Sequence, residues 1–127
     1  MKKLTAILCL TIAVLLGSAG GGWGADYQKG LDAANSGDFA TALREWKPLA
    51  EQGNADAQES LGYMYHSGDG VLQDYKMAHM WLNIAASSGY KGADKGRDIV
   101  AKKMSSSQIA EAQKLARECV KKKYKNC

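Results

Sequence analysis

Residues 57–89 read AQESLGYMYHSGDGVLQDYKMAHMWLNIAASSG. The centre of this stretch, from Gly68 to Tyr75, sets two glycines around an aspartate, then a short apolar pair, then Asp74. A glycine-flanked carboxylate can hold a cation, cradle a phosphate or turn the chain. A cation loop needs further carboxylates where Val71 and Gln73 stand. A phosphate loop needs a lysine entering the next helix in step, and Leu72 and Gln73 do not supply one. The turn reading gives every residue a task. Gly68 closes one helix, Asp69 and Gly70 reverse the chain, Val71 plugs the apolar gap between helices, and Asp74 caps the next helix.

The same arrangement recurs upstream. Slid by 36 positions, DFATALREWKPLAEQGNADA (38–57) lies over DYKMAHMWLNIAASSGYKGA (74–93). Asp38 falls on Asp74, Phe39 on Tyr75, Ala42 on Ala78, Ala50 on Ala86, Gly53 on Gly89 and Ala57 on Ala93. The aspartates stand at N-caps, the glycines where a helix ends in a left-handed residue, and the alanines where two helices approach closely. Between these marks the apolar spacing is helical: Phe39, Ala42, Leu43, Trp46, Leu49 and Ala50 form one stripe. Tyr75, Ala78, Trp81 or Leu82, Ala85 and Ala86 form the other. Pro48 lies inside the first of these helices and is expected to kink it. Six helices are predicted, at about 26–35, 38–52, 55–67, 74–88, 91–103 and 106–123. Ser105 and Gln108 make a capping box for the last, whose expected inner face is Ile109, Ala112, Leu115, Ala116 and Cys119. A repeat of this length in an all-helical chain specifies a short α-solenoid of antiparallel helix pairs, about two and a half units long.

The residues Ala57, Leu61, Gly62, Tyr65, Gly68, Gly70, Val71, Asp74, Tyr75, Ala78, Trp81, Ala85, Ala86 and Gly89 resemble one complete Sel1-like repeat, the longer-looped relative of the tetratricopeptide repeat. The unit before it, with its short Gly37-Asp38-Phe39 link, is more similar to a plain tetratricopeptide repeat. The unit after it departs from the pattern, since Arg97 and Asp98 replace the Leu-Gly pair and no GxGV loop follows. It resembles the closing helices of short exported members. The expected organisation is a leader over 1–25, a first helix pair over 26–53, the complete repeat over 54–89, and diverged capping helices with a basic tail over 90–127.

The resemblance implies peptide or protein binding, without catalysis or cofactor, on the face lined by the first helix of each pair. Carried over position by position, it nominates Tyr27 in the first unit, Asp56, Glu59, Tyr63 and His66 in the second, and Lys95 and Lys102 in the third. Some cysteine-rich relatives are linked to β-lactam hydrolysis, which makes Ser88-Gly89-Tyr90-Lys91 a motif to weigh. A catalytic S-x-x-K serine stands at a helix start with partner motifs elsewhere. Ser88 instead precedes a helix-ending glycine, and no S-D-N or K-T-G follows. A weak β-lactam- or peptidoglycan-directed hydrolase is therefore the alternative reading, and a structural envelope or stress-tolerance factor is a second alternative.

The chain has 127 residues and a net charge of +4. Lys2 and Lys3 precede a thirteen-residue run, Leu4 to Leu16, broken only by two threonines, and small residues follow. This is the layout of a secretory signal peptide, and the run is shorter than the roughly 20 residues of a spanning helix. Cleavage near Gly24 or Ala25 is expected, giving a bacterial periplasmic or secreted protein with no stable membrane insertion. The basic balance then falls mainly on Lys121, Lys122, Lys123 and Lys125, which suit a helix C-terminus. Nucleic acid is not an expected partner. A second copy covering an exposed end of so short a stack is a plausible self-association. With Cys9 gone, Cys119 and Cys127 remain as a pair expected to form a disulfide in an oxidising compartment. The two histidines, His66 and His79, lack metal-ligand spacing, and His79 is expected at the surface or the groove edge.

Overall fold

A computed structural model describes residues 24–127, so most of the expected leader lies outside the described residues. Six helices follow in order: α1 (Tyr27–Asn35), α2 (Phe39–Glu51), α3 (Ala55–Ser67), α4 (Tyr75–Ser87), α5 (Ala93–Ala101) and α6 (Ser106–Lys121). The described residues contain no strand.

Local chemistry places the helix ends. The Asp38 carboxylate accepts from the Thr41 backbone N–H at 3.2 Å and from its hydroxyl at 2.7 Å. Asp74 accepts from the N–H groups of Lys76 and Met77 at 3.0 and 3.2 Å. These bonds satisfy donors that the first turn of a helix leaves unpaired. Asp26 and Asn54 do the same for α1 and α3, and Ser105 with Gln108 completes a capping box for α6. Gly53 and Gly89 leave their helices at φ of 91° and 85°, a region that costs other residues strain. In the central loop, the N–H of Asp74 returns to the Tyr65 carbonyl at 2.9 Å, and Val71 packs against the main core. The α5 helix starts later than the spacing predicts, because Gly92 at φ 99° holds the chain in a turn until Ala93. The α2 helix runs on through Pro48 to Glu51.

Successive helices pack in sequence, α1 on α2, α2 on α3, α3 on α4 and α4 on α5, as a solenoid requires. The first two pairs each close by seating a large side chain on a glycine. Gly30 in α1 lies under the Trp46 indole of α2, and Gly62 in α3 lies under Leu82 of α4. A Cβ on Gly62 would stand 2.6 Å from Leu82 Cγ. Leu82 thus occupies the place in the second pair that Trp46 holds in the first. That frees Trp81, itself 3% exposed, to fill the core shared by the two pairs. Full burial of a side chain such as Leu82 contributes about 2 kcal/mol.

The last helix leaves the regular stack. α6 packs against α4, and Ala116 and Cys119 join the main core. Cys119 and Cys127 are joined by a disulfide across a Cα–Cα distance of 5.5 Å. The linked tail turns back so that the Tyr124 ring covers Gly53 at the α2–α3 corner. Two expectations fail here. Leu115 is 36% exposed and lies at the rim of α6, not on its inner face. His79 is 3% exposed, not at the surface or the groove edge, because α3, α5 and α6 enclose α4 and leave it little outer side.

Candidate binding face

The first helix of each pair, α1, α3 and α5, contributes to one side of the molecule. α6 packs on α4, the second helix of its pair, and the tail lies at the α2–α3 corner with Tyr124 on Gly53. The Asn54 cap fixes the start of α3, and helical spacing then aligns Asp56, Glu59, Ser60 and Tyr63 along its exposed side. From α1, Tyr27 stacks on Trp46 at 5.6 Å between centroids and bonds through its hydroxyl to Ser60 Oγ at 3.2 Å. From α5, Gly96 gives Tyr63 room to lie flat: a Cβ there would stand 2.7 Å from the phenol oxygen. Tyr63 remains 42% exposed, so its ring both packs and faces outward.

The electrostatics of this cluster are one-sided. Glu59 Oε2 is shut off from solvent without a hydrogen-bond partner. Desolvation, with the adjacent Asp56 carboxylate, raises the Glu59 pKa above its ordinary value. Burial, then the Glu59 charge, raises Tyr63. The Tyr90 phenol is pushed up to about 12, first by the Asp56 carboxylate it faces, then by burial and by Glu59. Among the described residues the ion pairs are Lys29–Glu45, Lys76–Glu111 and Arg97–Asp98. None of them neutralises Asp56 or Glu59.

The nominated residues therefore separate into two groups. Tyr27, Asp56, Glu59 and Tyr63 converge. His66 lies further along α3, beside the Tyr75 ring at 5.9 Å and the Lys103 ammonium at 3.4 Å, in a separate edge cluster. Lys95 and Lys102 stand exposed on and after α5, and neither forms an ion pair with the carboxylates. Tyr90 and Ser60 join the convergent group without having been read from the sequence. Tyr90 follows the helix-ending Gly89, so nothing in the helical periodicity points to it.

Ser88 is the C-cap residue of α4, and its hydroxyl donates to the Ile84 carbonyl at 3.2 Å. It has neither the helix-start position nor the free hydroxyl that an S-x-x-K nucleophile needs. No cluster of three or more metal-ligating side chains occurs among the described residues. None of the described helices is long and apolar enough to cross a membrane.

Residues 55–90 match the family model of the Sel1 repeat, and this part of the chain is a Sel1 repeat. Its limits coincide with α3, the glycine loop, α4 and the turn that delivers Tyr90. Repeats of this class typically serve protein–protein interaction and are generally non-catalytic. No curated protein and no solved structure matches the chain.

Proposed function

We propose that this protein is an exported, non-catalytic binding module that holds a peptide or protein on its first-helix face, with a lysine or arginine side chain of the partner set among Tyr27, Tyr63 and Tyr90. One observation carries the reading: Glu59 stands beside Asp56 with one carboxylate oxygen shut off from solvent and unpaired, and among the described residues no ion pair engages either acid. A partly desolvated acid without a counter-charge carries a cost, and a partner's cation near its accessible side offsets part of it on binding. Aromatic rings add attraction for the same charge and keep water from it. The leader-like residues 1–25 support export to the periplasm or beyond.

Titration calorimetry with short lysine-bearing peptides and with glutamate-bearing counterparts tests this proposal. The lysine peptides are expected to bind and the glutamate peptides not. Glu59→Gln is expected to narrow the difference about tenfold by weakening the lysine peptides. Equal binding of both series would refute the charge preference. Because Glu59 must be ionised to act, binding is expected to fade on acidification at a higher pH than an ordinary glutamate would set.

A further inference from the structure

On the other side of the molecule, the outer surface of α2 carries a depression of about 700 Å³. Ala40, Leu43 and Pro48 give it apolar surface, and Arg44, Lys47 and Lys125 surround this with positive charge. Glu51 is the single carboxylate in the lining. Among the described residues, no ion pair engages any of the three cations. Arg44 instead steadies itself on the Thr41 hydroxyl at 2.9 Å.

Lys125 reaches this place only through the folded-back tail. Lys123, Tyr124 and Asn126 adopt φ of 53°, 65° and 57°, a left-handed run that non-glycine residues adopt only under constraint. The constraint has three parts. The disulfide returns Cys127 to Cys119, the Tyr124 N–H bonds the Cys119 carbonyl at 2.9 Å, and the Tyr124 ring lies on Gly53. The tail is thus a wall of the depression, tied in place by an oxidised bond.

We propose that this depression is a binding site for a single-chain anionic amphiphile, its alkyl chain along Ala40, Leu43 and Pro48 and its carboxylate among Arg44, Lys47 and Lys125, and that the Cys119–Cys127 disulfide completes the site. The depression is broad and open, so a ligand there lies along α2 with one side in solvent. From Ala40 to Gln52 the lining follows α2 for about 18 Å, room for an extended alkyl chain. Charge selects the occupant. The chain's own apolar run, Leu4 to Leu16, is preceded by Lys2 and Lys3, which the cationic rim repels. A second copy docking symmetrically would bring two such rims face to face.

The test titrates the oxidised protein with monomeric decanoate and with decyltrimethylammonium, which has the same tail and the opposite charge. Saturable one-to-one binding of decanoate alone is expected. Lys125→Glu and Arg44→Glu should each weaken it by about fivefold or more, the scale of a single well-placed charge. Cys127→Ser, with helix content unchanged by circular dichroism, should weaken it about as much as Lys125→Ala, since both remove the same wall. The proposal fails if decanoate does not bind, if both amphiphiles bind equally, or if Lys125→Glu changes nothing. It fails equally if binding appears only with anionic vesicles, which would mark a membrane-facing surface, or only with dimerisation, which would mark a contact between copies.

Discussion

The two sides of this short solenoid differ in which charges they cluster and in how those clusters are held. On the first-helix face, Asp56 and Glu59 are fixed on a single well-capped helix, and three tyrosines close around them. On the second-helix face, Arg44 and Lys47 of α2 meet Lys125 from a tail that a disulfide alone ties back covalently. One face is centred on the repeat itself, while the other is completed by the C-terminal tail. A net charge of +4 averages these surfaces and conceals both. The packed layer between the two proposed sites keeps their charge clusters apart.

That layer is where the contrast breaks most completely. Gly62→Leu would force the α3 backbone away from Leu82 and Ala78, and overpacking of this kind costs about 2–3 kcal/mol. Chemical denaturation should show the loss, and ligands of both faces should weaken together. Cutting the disulfide separates the faces. Reducing it, or Cys127→Ser, is expected to cost about 2–3 kcal/mol, the lower end for disulfides because the closed loop is short. Decanoate binding should suffer while lysine-peptide affinity stays as it was.

Glu59→Gln sharpens the comparison from the other side. Lysine-peptide affinity should fall about tenfold, equivalent to about 1.4 kcal/mol, with decanoate binding unchanged. Fold stability should move the opposite way. The Glu59 pKa is raised in the folded state, so ionisation costs stability as pH rises through its ordinary value near 4.5, and the cost is complete above the raised value. Glutamine removes that cost at neutral pH, and thermal melting should show a small gain in stability. A site that binds at the expense of stability is a common trade.

The smallest effect concerns His79, which belongs to neither face. Its Nδ1 is buried without a partner, and burial, then the Arg97 charge, lowers its pKa, while Asp98 opposes this. The folded protein therefore holds His79 neutral where the unfolded chain, at about 6.5, already takes a proton. Stability is full above that value and declines as pH falls below it, through the lowered folded value. Melting temperatures followed from neutral pH downward should show this decline, and His79→Phe should flatten that part of the profile.

Much of the scaffold was legible because it is local. Asp38, Asp74, Gly53 and Gly89 act within a few residues of themselves, so their spacing alone places the ends of α2 and α4. Trp81 and Leu82 could not be ranked from the sequence, since neighbours on a helix share a stripe and only packing against Gly62 tells them apart. His79 was misplaced for a related reason. A single apolar stripe implies an outer side, but α4 is enclosed by α3, α5 and α6, and the return of α6 onto α4 leaves no periodic trace. On the candidate face, the α3 residues share a helix side and could be read together. Tyr90 meets Asp56 across 34 positions, a contact that only the tertiary turn after Gly89 creates. Lys95 and Lys102 came from a repeat pattern that the third unit does not keep.

The proposed docking of a cation at Glu59 and Asp56 on the first-helix face is open to a direct test. Backbone amide shifts in an NMR titration with a lysine-containing peptide, repeated with norleucine in place of the lysine, test it most directly. Saturable shifts centred on Asp56, Glu59, Ser60, Tyr63 and Tyr90 are expected with lysine, and none there with norleucine. Shifts centred on α2 and α6, or equal shifts with both peptides, would contradict it.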